Sequence, residues 1–381
     1  MDAGPRSPMA SVTTDTAAND PAIVTAIPGV TDVAGAADRV GFVDVTRGIL
    51  ILLMTSSHAI GQAHVSAQSF FTSAWWLPQG WSTPGFIALS GFTAALLMGT
   101  PEQSGRRASR RIARAGELLV VMVVSNMLFR AARIALGLYD AEDLDWSHLM
   151  LPAHSSYSIS GVLLPTAILL VLSAFALPAV HRASLPIVVS ALTVIAFGVE
   201  LLSHLAPHTP WGDALTFVAT IQLGEVPIFR LVGCGMLGLG LGILWQSSLS
   251  QRAIIAITLV LAVVPALPLL PESTAVTIVH ETLFGISHLV ALLACALLLL
   301  RLPAAGLFVR GLDAVGRYGL FCFLGHRLLL GVAVASHVTR VLPAEVVYSL
   351  YIASAMGMLI AVCSARRAWP GLDRGLRAVY L

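Results

Sequence analysis

The chain has 381 residues, of which 57% are hydrophobic and only 11% charged. Soluble globular domains carry about a quarter of their residues as Asp, Glu, Lys or Arg, so this composition excludes that class and indicates a polytopic membrane protein. The formal net charge of +2 says little, but all 22 basic residues are arginines, and their distribution carries the information.

Residues 1–38 are rich in Ala, Thr, Asp, Pro and Ser and contain no basic segment followed by a long apolar core. They do not read as a secretory signal, and a disordered cytoplasmic tail is expected. Apolar runs of roughly membrane length then follow at 42–60, 83–100, 113–136, 158–178, 185–204, 225–245, 253–270, 281–300, 318–338 and 346–365, which predicts an all-α fold of about ten transmembrane helices. Pro165, Pro265 and Pro268 could kink or divide helices, leaving nine or eleven open. The expected organisation is a tail at 1–38, a ten-helix membrane domain at 39–366 and a short cytoplasmic tail at 367–381.

The first run, Val43–Ile60, carries Asp44, Arg47 and His58, and charges inside a membrane-length helix are costly enough to need an explanation. Arg47 and His58 are eleven residues apart, about three turns, so they share a face roughly 16 Å apart along the axis. Met54 and Thr55 lie on the stripe between them. The stripe reads as a route between the two sides of a membrane. It reads equally as an interfacial Asp44–Arg47 ion pair with His58 near a helix end.

Downstream, Trp75, Trp76 and Trp81 stand in the first long connection, as interfacial anchors or as a platform for stacking sugars. Gly91, Ala95 and Gly99 follow four apart, and Cys234, Gly238 and Gly242 repeat the device; both are close-packing faces that admit a neighbouring helix. Arg106, Arg107, Arg110, Arg111 and Arg114 crowd the connection before the third run. Arg182, Arg252, Arg301, Arg310 and Arg317 lie in later alternate connections, and Arg366, Arg367, Arg374 and Arg377 follow the last run. The opposite connections hold Asp140, Glu142, Asp143, Asp145, Asp213 and Glu272, with Arg340 the only clear arginine. By the positive-inside rule both termini are cytoplasmic, with Arg47 toward the cytoplasm and His58 toward the outside.

Other polar residues gather at two depths. His58, Arg130, Arg133, Glu225, Arg230, His280, Glu281 and His288 fall toward the outside; Asp44, Arg47, Glu117, Arg317, His326 and Arg327 fall toward the cytoplasm. Arginines near helix ends snorkel, whereas Arg230, His288, His326 and Arg327 sit well inside their runs, in a packing or a site role. Cys234, Cys295, Cys322 and Cys363 fall in apolar stretches without metal-ligand spacing, so neither a disulfide framework nor a metal site is indicated and they read as small buried hydrophobes.

The segment FVDVTRGILILLMTSSH, followed by PGFIALSGFTAALLMG and then the arginine-rich connection, resembles the integral-membrane acyltransferases of acyltransferase family 3, whose first helix carries Arg, ten residues, then His. Within that family the pattern is similar to the branch of osmoregulated periplasmic glucan succinyltransferases. LDAVGRYGLFCFLGHRLLL resembles the family's late stretch in which Gly, a basic residue, a small residue and an aromatic precede a His. The chain departs from the glucan branch at Thr46, where an aromatic is common, and at Phe92 and Leu97–Gly99, where tyrosines are frequent. Those departures leave the acceptor unassigned.

The resemblance implies transfer of an acyl group, of acetyl or succinyl class, from cytoplasmic acyl-CoA to a hydroxyl of an extracytoplasmic glycan or lipid-linked sugar, in a bacterial inner or plasma membrane. His58 would be the general base, which requires a neutral imidazole, and Arg47, beside Asp44, would steady the donor. Arg106, Arg107, Arg110 and Arg111 would attract the CoA phosphates, or act only as topology determinants. Arg230, His288, His326, Arg327, Trp76 and Trp81 would line the acceptor site. Acyl-CoA would be a co-substrate, with no tightly bound cofactor and no metal. Membrane lipids and a glycan or glycolipid are the expected partners; no nucleic acid is, and a homo-oligomer is compatible with the sequence. Two other classes fit the same composition: a transporter or flippase of a lipid-linked or charged solute, against which stands the absence of a convincing repeat between the halves, and a catalytically silent scaffold.

Single cysteines at Ser69 and Ser104, in a background lacking the four native cysteines, test the orientation. With a membrane-impermeant maleimide, Ser69→Cys is expected to label in intact cells and Ser104→Cys only after permeabilisation. Labelling of Ser104→Cys in intact cells would invert the scheme.

Overall fold

The structure, a computed structural model, describes residues 41–63, 82–97, 104–135, 160–180, 187–188, 191–196, 198, 222–223, 226–246, 274–335 and 342–380, all within one compact unit, Val40–Leu381. The amino-terminal tail, the run at 253–270 and the connection carrying Trp75, Trp76 and Trp81 lie outside the described residues. The described fold is all-α: α1 Gly41–Ala63, α2 Ser82–Leu96, α3 Ser104–Ala135, α4 Ser160–Val180, α5 Ile228–Gln246, α6 Thr274–Arg301, α7 Gly306–Arg317, α8 Gly319–Ala335, α9 Ala344–Ala368 and α10 Pro370–Tyr380. A two-residue antiparallel ladder, Gln222–Leu223 with Val226–Pro227, leads into α5.

Three of these helices contain stretches long and apolar enough to cross a membrane: Gly41–Ile60, Gly105–Ala132 and Ala344–Ala368. They are not equivalent, because 67% of the most apolar window of the first is buried inside the protein against 33% and 39% for the other two. Helix α1 is therefore the central element, and it packs against α2, α6, α7, α8 and α9. Val45, Leu50, Ile51 and Met54 are at most 2% exposed on it. Thr46 and Thr55 are buried with them, and each hydroxyl donates to the carbonyl four residues earlier, Phe42 and Ile51 respectively. Neither buried hydroxyl then needs a partner from another helix.

Helices as apolar as these on all sides are held together by close packing, which small residues allow. The two small-residue faces of the sequence meet each other: a Cβ at Gly91 would collide with the Gly235 carbonyl, and one at Gly238 with the Ala88 carbonyl. Since Ala88 lies by Gly238 while Ala95 lies by Gly242 and Gln246, α2 and α5 run side by side in the same direction.

Two elements differ from the sequence reading. The segment after Arg301, expected to be a connection, contains α7, whose twelve residues are too short for a span and whose Leu312 and Val315 are buried while Leu307 and Arg310 are exposed; a search for long apolar runs does not see such a helix. The arginine cluster at 106–114 is likewise helical, because α3 begins at Ser104. Cys295 is exposed, whereas Cys234, Cys322 and Cys363 are buried.

Gly238→Val should separate α2 from α5, because the added side chain meets backbone rather than a movable side chain; overpacking of this kind costs about 1–3 kcal/mol. Thermal unfolding of the purified protein in detergent should show a lower Tm, while Gly357→Ala, with open space around it, should leave Tm unchanged or slightly raised.

Candidate functional site

The site is built on α1, where Asp44 and Arg47 form one half and His58 the other. Arg47 Nη1 donates to Asp44 Oδ1 at 2.9 Å and to the Gly316 carbonyl oxygen at 3.2 Å. Gly316 is in the last turn of α7, and a Cβ there would run into the Asp44 carbonyl; one at Gly319, the first residue of α8, would run into the Arg47 methylenes. Only glycine permits both approaches. The elbow between α7 and α8, with Tyr318 at its apex, is thereby seated on the first turns of α1.

From that seat α8 runs alongside α1 in the same direction, and seven residues past Gly319 it brings His326 to His58. His58 Nδ1 and His326 Nε2 are 3.0 Å apart. The rings are within 4° of parallel with centroids 5.2 Å apart, a separation that fits two coplanar rings joined edge to edge through that hydrogen bond and exceeds a face-to-face stack. The sequence reading placed these histidines at different depths, since His326 lies near the start of its run. The elbow resolves this, because α8 starts at the level of Arg47 and not below it.

The hydrogen bonds assign the protons. His326 Nδ1 lies 3.2 Å from the Cys322 carbonyl oxygen, which can only accept, so Nδ1 carries the proton and Nε2 of the neutral ring is an acceptor. His58 Nδ1–H must then donate to it. That leaves Nε2 of a neutral His58 without a proton, as a general base requires. The chain ends on a backbone carbonyl, so His326 fixes the tautomer of His58 and does not pass a proton onward. His326 is fully buried and His58 retains exposed surface, which makes His58 the reachable member.

The surroundings hold the pair in place. Phe323 packs against His326 with centroids 5.8 Å apart and against Phe86 of α2 at 6.4 Å. Tyr348 of α9, 1% exposed, is buried beside Ser56 of α1. Arg327, next to His326, is close enough to both imidazoles to act on them electrostatically.

The remaining sequence-designated residues are dispersed. His288 is buried on α6 at 1% exposure, and Arg230 is half-buried in the first turn of α5. Trp76 and Trp81 lie outside the described residues. Arg107 donates to the Leu97 carbonyl and Arg111 to those of Ala94 and Leu97, while Gln246 Nε2 donates to that of Ala95 at 3.1 Å; together they satisfy carbonyls that the end of α2 leaves open. Arg106 and Arg110 are exposed. Among the described residues no three His, Cys, Asp or Glu side chains form a group that could hold a metal ion. Sequence reasoning missed the Gly316 and Gly319 contacts, for which the signal was two glycines flanking Arg317 and Tyr318.

No protein-family model, curated protein or solved structure matches the chain.

Histidine ¹⁵N NMR on labelled protein, with the two rings assigned by His58→Gln and His326→Gln, should show His58 neutral with the proton on Nδ1, and His326→Gln should keep that proton in place, because the amide oxygen can accept it. A proton on His58 Nε2 in the wild-type protein would contradict the assignment.

Proposed function

We propose that the chain is a multi-pass membrane O-acyltransferase that moves an acetyl- or succinyl-class group from cytoplasmic acyl-CoA to a hydroxyl of an extracytoplasmic glycan or lipid-linked sugar. The observation that carries this reading is the bare Nε2 of His58, held in that tautomer by His326, on the same helix as a pinned Arg47. The resemblance of the first-helix and late-helix motifs to acyltransferase family 3 supports it. So does the direction of the helices: α1 parallel to α8, and α2 parallel to α5, fit a scheme of ten spans in which these pairs are first with ninth and second with sixth. In this reading the arginine distribution puts both termini in the cytoplasm, and the protein resides in a bacterial inner or plasma membrane.

In this reading the acceptor hydroxyl gives its proton to His58 Nε2 as its oxygen bonds to the thioester carbonyl carbon. The carbon–sulfur bond of the resulting tetrahedral species breaks, and the sulfur leaves as CoA thiol with the proton from His58. The products are the ester and free CoA, and the imidazole returns to its starting state. Positive charge develops on His58 during attack, and donation of its Nδ1–H to His326 stabilises it. Arg47 holds the donor at the cytoplasmic end, and the extended pantetheine arm spans the roughly 16 Å of helix between Arg47 and His58. Arg106 and Arg110, exposed beside the two capping arginines, attract the CoA phosphates.

Membranes bearing the wild-type protein should release CoA from acyl-CoA and yield an acylated glycan or lipid by mass spectrometry that a deletion strain lacks. His58→Ala should insert normally and lose about 10²–10⁴-fold in transfer, the usual cost of a missing general base; retention of more than a few per cent of activity would remove His58 from that role. Arg47→Lys keeps the charge and loses the planar fork. It should weaken use of the donor without changing affinity for the acceptor, and wild-type donor kinetics in that variant would reduce Arg47 to a structural charge.

A further inference from the structure

The elbow that seats Arg47 is itself held from the other side by a buried arginine. Arg366, in the last turn of α9, is 5% exposed. Its Nε and Nη2 both donate to Asp373 Oδ1 of α10, at 3.2 and 3.0 Å. The central carbon of the same guanidinium lies over the Tyr318 ring, 4.1 Å from its centroid, and 5.1 Å from that of Phe321. Tyr318 is the apex of the elbow: two residues before it is the Gly316 carbonyl that accepts from Arg47, and one residue after it is Gly319, on which the Arg47 methylenes rest. One planar cation thus ties α10, α9 and the apex together, bonding the carboxylate through Nε and Nη2 while lying over the rings.

We propose that Arg366 is a positioning residue for Arg47, acting through the Tyr318 elbow, and so sets the affinity for the acyl donor; this rests on the acyltransferase reading of Arg47. Its neighbour shows by contrast why Arg366 is the one that matters. Arg367 also fastens α9 to the elbow region, donating to Asp313 Oδ2 of α7 at 3.0 Å, but its side chain is 47% exposed, and exposed ion pairs of that kind contribute little. A lysine at 366 keeps the charge but not the fork and the stacking plane.

R366K should raise the KM for acyl-CoA about tenfold, a range usual for coupling between packed sites, with kcat changed less than about twofold and the acceptor KM unchanged; R367K should match wild type. Because Arg366 acts through Arg47, combining R366K with R47K should cost little beyond R47K alone, whereas independent sites add in full. Hydrogen–deuterium exchange of the peptide spanning residues 316–321 should accelerate in R366K and not in R367K. D373N, which keeps Arg366 and its stacking, should move donor KM and exchange in the same direction by less, and it takes the place of R366K if that variant does not fold. Wild-type donor KM, full additivity with R47K, or equal losses in kcat and acceptor KM would overturn the proposal. If the wild-type protein transfers no acyl group, the acyltransferase reading fails by that result alone, and the exchange measurement decides separately whether Arg366 holds the elbow: unchanged exchange would overturn that as well.

Discussion

The contact between Arg47 and the Gly316 carbonyl fixes the register of everything around it. It sets where α7 ends against α1 and hence where α8 begins, and that starting point decides which residue of α8 arrives opposite His58. A start one turn earlier or later would carry His326 about 5 Å along the axis, beyond hydrogen-bond reach. The histidine pair is therefore a consequence of packing about three turns away from it along α1. The glycines make this possible: at Gly316 and Gly319 a methyl group would occupy the space of the Asp44 carbonyl and of the Arg47 side chain.

Arg47 consequently has two duties, holding the elbow through Nη1 and, in the proposed function, presenting charge to the donor. The two are compatible, because the planar fork has five donors and the side chain keeps 23% of its surface exposed while bonded to Asp44 and Gly316. Asp44 fits the same picture. Its carboxylate is buried at 5% exposure beside the guanidinium, where an isolated charge would be expensive and a paired one is tolerated. The pair is thus better understood as an orienting device than as a source of stability.

Much of the scaffold is legible in the sequence for a simple reason: apolar runs of membrane length leave no alternative to helices, and small residues every fourth position mark where helices touch. Asp44, Arg47 and His58 stand out because charge is rare in such a setting. His326 could be noticed as an intramembrane histidine, but its partner could not be read, since the partner depends on an elbow formed by an amphipathic helix too short for a hydropathy window. Arg107 and Arg111 show the reverse difficulty: the charge cluster is conspicuous, yet the use of two of its members to close the end of α2 depends on where that helix stops. Arg366 looks like one more arginine following a span, and only its burial against Tyr318 and Asp373 sets it apart from Arg367.

The central claim is that one helix connects a donor on one side of the membrane to an acceptor on the other. Purified protein in proteoliposomes, given acyl-CoA labelled in its acyl group on the Arg47 side and a glycan acceptor on the other, tests it most directly. The account predicts labelled ester on the acceptor side in one-to-one proportion with CoA thiol released on the donor side. Movement of acceptor or lipid across the bilayer with no thioester consumed would contradict it and leave a transporter in its place.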